Sequence, residues 1–155
     1  LKLINKLKLI DKINESKITK HIINICYDEE YALDYKKIEK AFSLTFEEFI
    51  NFHSSHNFYV FMIGFMPGLP FLGLLNTKIK IPRLENPRLN VPKGSLGIVD
   101  NLSVIYPNQS PGGWNIIGKT NYKLFNNKKN ISIIKPGDIV KFKKVNKKIF
   151  YKNDY

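Results

Sequence analysis

Arg83 and Arg88 are the only arginines in a chain whose other basic side chains are lysine or histidine. Each follows a proline, in Pro82-Arg83-Leu84-Glu85-Asn86-Pro87-Arg88. A guanidinium is a planar fork of donors that grips a carboxylate or phosphate through two parallel bonds, whereas an ammonium is a point charge. Two forks on a proline-stiffened loop point to an oriented small anion; the plainer alternative is surface ion pairing with Glu85. Ser110-Pro111-Gly112-Gly113-Trp114 holds the only tryptophan. Its double glycine lets backbone amides approach a ligand, or makes a tight corner packed under the indole. Gly64-Phe65-Met66-Pro67-Gly68-Leu69-Pro70-Phe71-Leu72-Gly73 is the third unusual segment. Arg83, Arg88, Ser110, Gly112, Gly113 and Trp114 are expected to line one cleft around an anionic ligand.

Other patterns carry less. Gly113 to Thr120 fits the phosphate-loop pattern G-x-x-x-x-G-K-T letter for letter. That mechanism needs a strand before the loop and a helix after it, so that backbone amides cradle phosphate. Here Pro111 and two glycines precede the run, and Asn121-Tyr122-Lys123-Leu124-Phe125-Asn126-Asn127 follows it with the composition of a strand and turn, so a β-strand is expected instead. His53 and His56 lie three apart on a predicted helix, yet no third metal ligand is near in sequence, and no metal site is expected. His53 is a candidate proton-transfer or hydrogen-bonding group in the cleft, with a helix-capping histidine the equal alternative. Ser110 precedes Pro-Gly-Gly and not a nucleophile elbow, so no Ser-His-Asp arrangement is readable.

The chain has 155 residues, 43% of them hydrophobic and 13% aromatic, enough for one buried core and against disorder. Its net charge is +12. Lysine, isoleucine and asparagine are abundant throughout, so the charge reads as a composition bias; no basic helix or nucleic-acid motif accompanies it, and no nucleic-acid partner is expected. Between Asn51 and Lys135 ten lysines or arginines face only Glu85 and Asp100, which suits a small anionic substrate. No apolar run approaches the ~20 residues needed to cross a bilayer. The start is lysine-rich and amphipathic with no signal-peptide core. Cys26 is the only cysteine, so a cytoplasmic setting without disulfides is expected. The first residue is Leu1, which reads as the start of a fragment.

Residues 1–20 read as an amphipathic helix or linker, with Leu3, Ile4, Leu7 and Ile10 at helical spacing. His21 to Tyr27 is β-prone. Asp34 to Phe42 predicts a short helix, and the capping box Thr45-Phe46-Glu47-Glu48 starts another that runs to about His53. Beyond His56, Val/Ile/Phe/Tyr runs alternate with Gly/Pro turns, predicting strands at 58–64, 95–99, 103–106, 114–118, 121–125, 131–134, 138–145 and 148–152. Pro136-Gly137 supplies the dihedrals of a type II turn before the 138–145 strand. No long helix separates the strands, so the fold class is mainly β: an antiparallel barrel from about Asn57 to Tyr151 with two or three short helices.

The segments 64–72, 82–96, 105–120 and 136–142 resemble, in order, the motifs of one family, that of the B subunit of bacterial ATP-dependent 5-oxoprolinase. This family overlaps with allophanate hydrolase subunit 1 and with Kip-type inhibitors of a sensor kinase. The resemblance covers about residues 21–145. It implies a cyclophilin-like barrel at 21–155, with 1–20 as the linker or tail of a missing N-terminal α/β domain. It implies a subunit, not catalytic alone, of an enzyme that converts 5-oxoproline to glutamate, with homologues of the C and A subunits as partners. ATP would be held by the complex at an unassigned site; whether magnesium takes part stays open. Within the matched segments, Phe65, Pro67 and Tyr106 join the substrate-binding set, and the helix ending at His53, where the family also carries a histidine, makes His53 the catalytic candidate. The alternatives are inhibition of a sensor histidine kinase, or a carboxyltransferase-type subunit of urea amidolysis. One departure matters: where the family reads A-G-x-Q-T-G, this chain has Val99-Asp100-Asn101-Leu102-Ser103-Val104, so Leu102 stands for the glutamine and Asp100 and Val104 for two glycines.

Overall fold

The alternation in Asn57–Ile63 sends Phe58 and Val60 inward and leaves Tyr59 and Phe61 exposed, as a half-buried strand requires. In Ile139–Val145, Val140 and Phe142 are buried between lysines that face out. In a computed structural model of the chain, which describes residues 18–152 except 74 and 76, these two segments belong to one barrel. The elements are β1 (Lys20–Cys26), α1 (Tyr35–Phe42), α2 (Phe46–Ser55), β2 (Asn57–Ile63), β3 (Pro70–Gly73), β4 (Arg88–Val91), β5 (Ser95–Val99), β6 (Leu102–Ile105), β7 (Ser110–Gly112), β8 (Asn115–Lys119), β9 (Phe125–Asn126), β10 (Ile131–Ser132), β11 (Ile139–Val145) and α3 (Lys147–Lys152). The closed barrel runs β1-β11-β2-β3-β6-β5-β8, and β4–β7 and β9–β10 form separate two-stranded pairs. Among the described residues the fold is therefore mainly β, with a seven-stranded closed barrel and three short helices.

The capping box forms as expected: the Thr45 hydroxyl accepts the Glu48 amide at 3.3 Å and the Glu48 carboxylate accepts the Thr45 amide at 2.8 Å. α2 then lays Phe49, Ile50 and His53 into the core, where Phe49 meets Phe42 of α1. Pro136-Gly137 turns as predicted. Gly137 has φ +92°, the left-handed region that type II needs, and Asp138 N–H donates to Lys135 O at 3.1 Å.

Four details differ from the sequence reading. Pairing is not wholly antiparallel: β1 runs parallel to β11 along its whole length, from Lys20 beside Ile139 to Cys26 beside Val145. The barrel closes through β1, with Cys26 beside Lys119, so it begins well before Asn57. Residues 148–152 fall in helix α3, where Phe150 is buried against Cys26 and Val145. In 121–125 only Phe125 is in a strand, while β3, β4 and β7 are additions to the expected set, because proline and glycine punctuate them. The helix or linker expected over 1–20 lies outside the described residues as far as residue 17, and Lys20 already belongs to β1. No helix among the described residues is long and apolar enough to cross a membrane.

Candidate functional site

Tyr106 prolongs the β6 ladder: its amide donates to Ser95 O at 3.0 Å and its carbonyl accepts Gly94 N–H at 2.7 Å. The phenol is thereby held in place with the residue 2% exposed. Burial pushes its pKa up, while Arg83, the Trp114 amide and Arg88 pull it down, and burial wins. Gly112 crosses directly above it; a Cβ there would stand 2.3 Å from the Tyr106 hydroxyl, so only glycine fits. Trp114 meets Phe71 edge-on at 6.0 Å, and its Cβ lies 2.9 Å from where a side chain on Gly97 would begin.

The Pro82–Arg88 loop is pinned from below. Leu84 N–H donates to Gly113 O at 2.7 Å, and the buried Asn115 Nδ2 donates to Pro82 O at 3.0 Å and to Ile98 O at 3.1 Å. Both neighbours of Arg83 are thus tied to residues 113–115. A Cβ on Gly113 would lie 3.6 Å from Arg83 Nε, so the glycine leaves room for the arginine stem. Phe65 stands opposite on the 64–69 turn with φ +68° and 71% exposure. A bulky residue in the left-handed region is a strained conformation of the kind that gathers at ligand sites.

Phe65, Leu69, Phe71, Arg83, Tyr106, Gly112 and Trp114 together line a cavity of about 170 Å3. Five of these, Phe65, Arg83, Tyr106, Gly112 and Trp114, are candidates from the sequence. Leu69 and Phe71 are additions, although both sit within the 64–73 segment. Pro67, Arg88, Ser110 and Gly113 do not line the cavity. The two arginines have different work. Arg88 donates to Asp34 Oδ1 at 2.8 Å, whereas Arg83 enters no ion pair among the described residues, with Glu85 or any other carboxylate. Arg88 is therefore anchored to Asp34 through one amino group, while its Nη1 is buried without a hydrogen-bond partner, and of the two forks only Arg83 lines the cavity.

The proton-transfer role expected of His53 is not supported by its placement. It is 0% exposed and stacks on Phe142 at 5.1 Å among Phe49 and Phe58. Both ring nitrogens are used inside the core, Nδ1 with Tyr27 Oη at 3.3 Å and Nε2 with Ser103 Oγ at 3.1 Å. Burial pushes its pKa down to about 3, with His56 a smaller contributor, so the ring is neutral. The helix-capping role falls to His56, whose Nδ1 donates to Phe52 O at 2.7 Å. Ser103, at the threonine position of the departing segment, is fully buried as this histidine's partner, and Leu102 packs beside Gly73. Among the described residues no three His, Cys, Asp or Glu side chains converge to hold a metal.

The letter match to a phosphate loop dissolves in the fold: Asn115–Lys119 is strand β8, and the next element after it is strand β9 and not a helix. The backbone cradle that the motif stands for is not formed.

Residues 2–134 match the family model described as carboxyltransferase domain, subdomain C and D. The B subunit of the 5-oxoprolinase of Bacillus subtilis (strain 168) is 36% identical over 147 residues, which are 93% of this chain and 61% of that protein. A conserved uncharacterized protein of Pyrococcus horikoshii, of known crystal structure, superposes with a TM-score of 0.79 at 35% identity, over 93% of this chain and 66% of that one. The K. lactis urea amidolyase superposes with a TM-score of 0.75 at 16% identity, over 96% of this chain and 11% of that enzyme, a likeness of fold alone. The chain spans less than two thirds of the length of each of these proteins.

Proposed function

The chain belongs to the carboxyltransferase subdomain C and D family, and on that premise we propose that it is the barrel part of the B subunit of an ATP-dependent 5-oxoprolinase. The assembly would open the lactam of 5-oxo-L-proline with water to give L-glutamate, while ATP goes to ADP and phosphate. In the lactam step the C–N bond breaks, the ring carbonyl carbon becomes a carboxyl group and the nitrogen leaves as the amine. Homologues of the A and C subunits would be its partners and ATP the co-substrate of the assembly, at an unassigned site. The name of the Bacillus subtilis relative supports the reading.

The observation that carries it is the unpaired Arg83 fork at an aromatic cavity of about 170 Å3. That space suits a small ring with one carboxylate and is too small for a nucleotide. Arg83 would take the carboxylate through two parallel bonds, Trp114 and Phe71 would cover the ring methylenes, and Phe65 would close over them. A bond from a guanidinium to a desolvated carboxylate contributes about 1.5–3 kcal/mol. Enclosure by apolar side chains raises that value by excluding water.

The test is 5-oxoproline-dependent ATP hydrolysis by the purified full-length protein with its partner subunits. Turnover that falls at least tenfold with Arg83→Ala is expected. An assembly that hydrolyses no ATP in response to 5-oxoproline overturns the reading. The kinase-inhibitor and urea-amidolysis readings draw support from no observation at this site.

A further inference from the structure

A second cavity, of about 500 Å3, lies beside the first, and Tyr106 lines both. Lys93, Lys119 and Lys123 line it with Asn108 and Asn127, and no Asp or Glu is among its lining residues. None of these lysines enters an ion pair among the described residues.

The fold puts the three lysines there by separate routes. Lys93 precedes Gly94, whose φ of +80° turns the chain so that its amide reaches Tyr106 O at 2.7 Å and its carbonyl accepts Thr120 N–H at 2.9 Å. A Cβ on Gly94 would stand 2.1 Å from Thr120 O, so the turn and the end of β8 are locked together. Lys119 ends β8, with its ammonium 5.3 Å above the Tyr31 ring. Lys123 follows Tyr122, whose hydroxyl is tied to His21 Nδ1 at 3.0 Å. One carboxylate stands behind this wall, Asp138. It is already engaged by the amides of Thr19 and Lys135 and by His21 Nε2.

Lys93 and Lys123 are exposed at this concavity, the Lys119 ammonium stands over Tyr31 outside its lining, and no lining residue is an anion, so the balance of charge at the cavity is positive. A monocarboxylate would neutralise one of the two exposed lysines. A phosphoryl group carries close to two charges and presents oxygens in several directions, which lysine ammoniums and asparagine amides meet without the flat fork that a carboxylate favours. We propose that the cavity of Lys93 and Lys123 is a phosphoryl-binding site, built from turn side chains and not from a backbone loop. The phosphoryl group could belong to a nucleotide or to a small phosphorylated molecule. This inference stands apart from the oxoprolinase reading.

The experiment is calorimetric titration of the full chain with inorganic pyrophosphate, ATP and acetate at constant ionic strength. Pyrophosphate should bind and acetate should not, and added salt should weaken the binding. Lys93→Gln and Lys123→Gln should each weaken it about tenfold and Lys93→Arg should retain it, while Arg83→Ala should change it by less than about twofold. ATP binding tighter than pyrophosphate assigns the phosphoryl group to a nucleotide; equal or weaker binding assigns it to a small phosphorylated compound. Both lysines are exposed, and unchanged thermal unfolding separates lost binding from lost folding. The proposal is overturned if pyrophosphate does not bind at about 10 mM, if the lysine variants bind as well as the parent, or if Arg83→Ala abolishes binding. That last result would put the anion in the aromatic cleft. Failure here with Arg83-dependent 5-oxoproline turnover intact would leave the proposed function standing.

Discussion

Arg88 and Asp34 lie 54 positions apart in sequence and meet in an ion pair of 2.8 Å. The other oxygen of Asp34 accepts the Ile116 amide at 2.6 Å, and the Asp34 amide donates to Ile116 O at 3.0 Å. One carboxylate thus binds the start of α1, strand β8 and the loop that carries Arg83. A lysine at position 88 could supply the charge, but not a guanidinium that spans from β4 to the helix start. Both arginines follow prolines, yet one is structural and the other faces a cleft.

Removing the carboxylate should therefore cost folding free energy before it touches the ligand. Asp34→Ala leaves the Ile116 amide without an acceptor and the Arg88 charge uncompensated, a combined loss of about 2–4 kcal/mol. Asp34→Asn keeps an oxygen for Ile116 and should lose about half as much. Urea unfolding of the three proteins measures this. An alanine variant within about 0.5 kcal/mol of the parent would show that the pair is idle.

Gly112 is where a single methyl group should disturb the cleft. A Cβ there would stand 2.3 Å from the Tyr106 hydroxyl, so the phenol or the Gly112 backbone must shift to admit it. Gly112→Ala is expected to destabilise by about 1–3 kcal/mol and to shift the emission of Trp114, the only tryptophan in the chain. Gly113→Ala meets nothing closer than 3.6 Å and serves as the control. Equal behaviour of the two variants would remove the argument that Tyr106 sets the cleft's floor.

Two groups make stability depend on pH in different windows. Burial holds the folded pKa of His53 at about 3, below its ordinary value of 6.5. The unfolded chain therefore takes up a proton that the folded chain refuses, and stability falls by about 1.4 kcal/mol for each pH unit below ~6.5. Asp138 acts lower down. Burial raises its pKa, but hydrogen bonds from His21, the Lys135 amide and the Thr19 amide outweigh this and leave it below the usual 3.8. Its stabilisation is complete above the ordinary carboxylate range and is lost as pH falls through the depressed value. Unfolding midpoints measured from pH 7.5 to 5 should drop for the parent and stay nearly flat for His53→Gln. The same slope in both proteins would mean that another group carries the effect.

The short-range parts of this fold were legible in the sequence. The Thr45–Glu48 capping box, the Pro136-Gly137 turn and the in-out alternation of β2 and β11 are set by neighbours within a few residues, where propensity and pattern act. The parallel pairing of β1 with β11 was not. Lys20 and Ile139 meet across most of the chain, and no local pattern encodes which strand an edge will find. The site divides the same way. Residue type marked Arg83 and Trp114 because each is rare in this composition. The engagement of Arg88 by Asp34 and the burial of His53 follow from packing, and an arginine or histidine in a sequence looks the same whether its partner is a ligand or the core.

The asymmetry of the arginines gives the sharpest prediction about the cleft. Arg83 has no ion-pair partner among the described residues, and its stem passes beside Gly113 into an aromatic cavity. Losing its fork should weaken a carboxylate ligand by roughly ten- to a hundredfold, the equivalent of about 1.5–3 kcal/mol. Arg83→Lys keeps the charge but gives up the two parallel bonds, so it should recover only part of the loss. None of this should alter unfolding, because Arg83 holds nothing else in place. Arg88 should behave in the opposite way, with Arg88→Lys and Arg88→Ala lowering stability and affecting affinity only through the displaced loop. In the assembled complex, the KM for 5-oxoproline and the unfolding midpoint, measured for the four variants, should separate the residues into two classes. If Arg83→Lys restores full affinity, the cleft reads charge alone and the oriented-carboxylate model fails. If Arg88→Ala raises KM with no loss of stability, Arg88 is a ligand contact and the structural assignment is wrong.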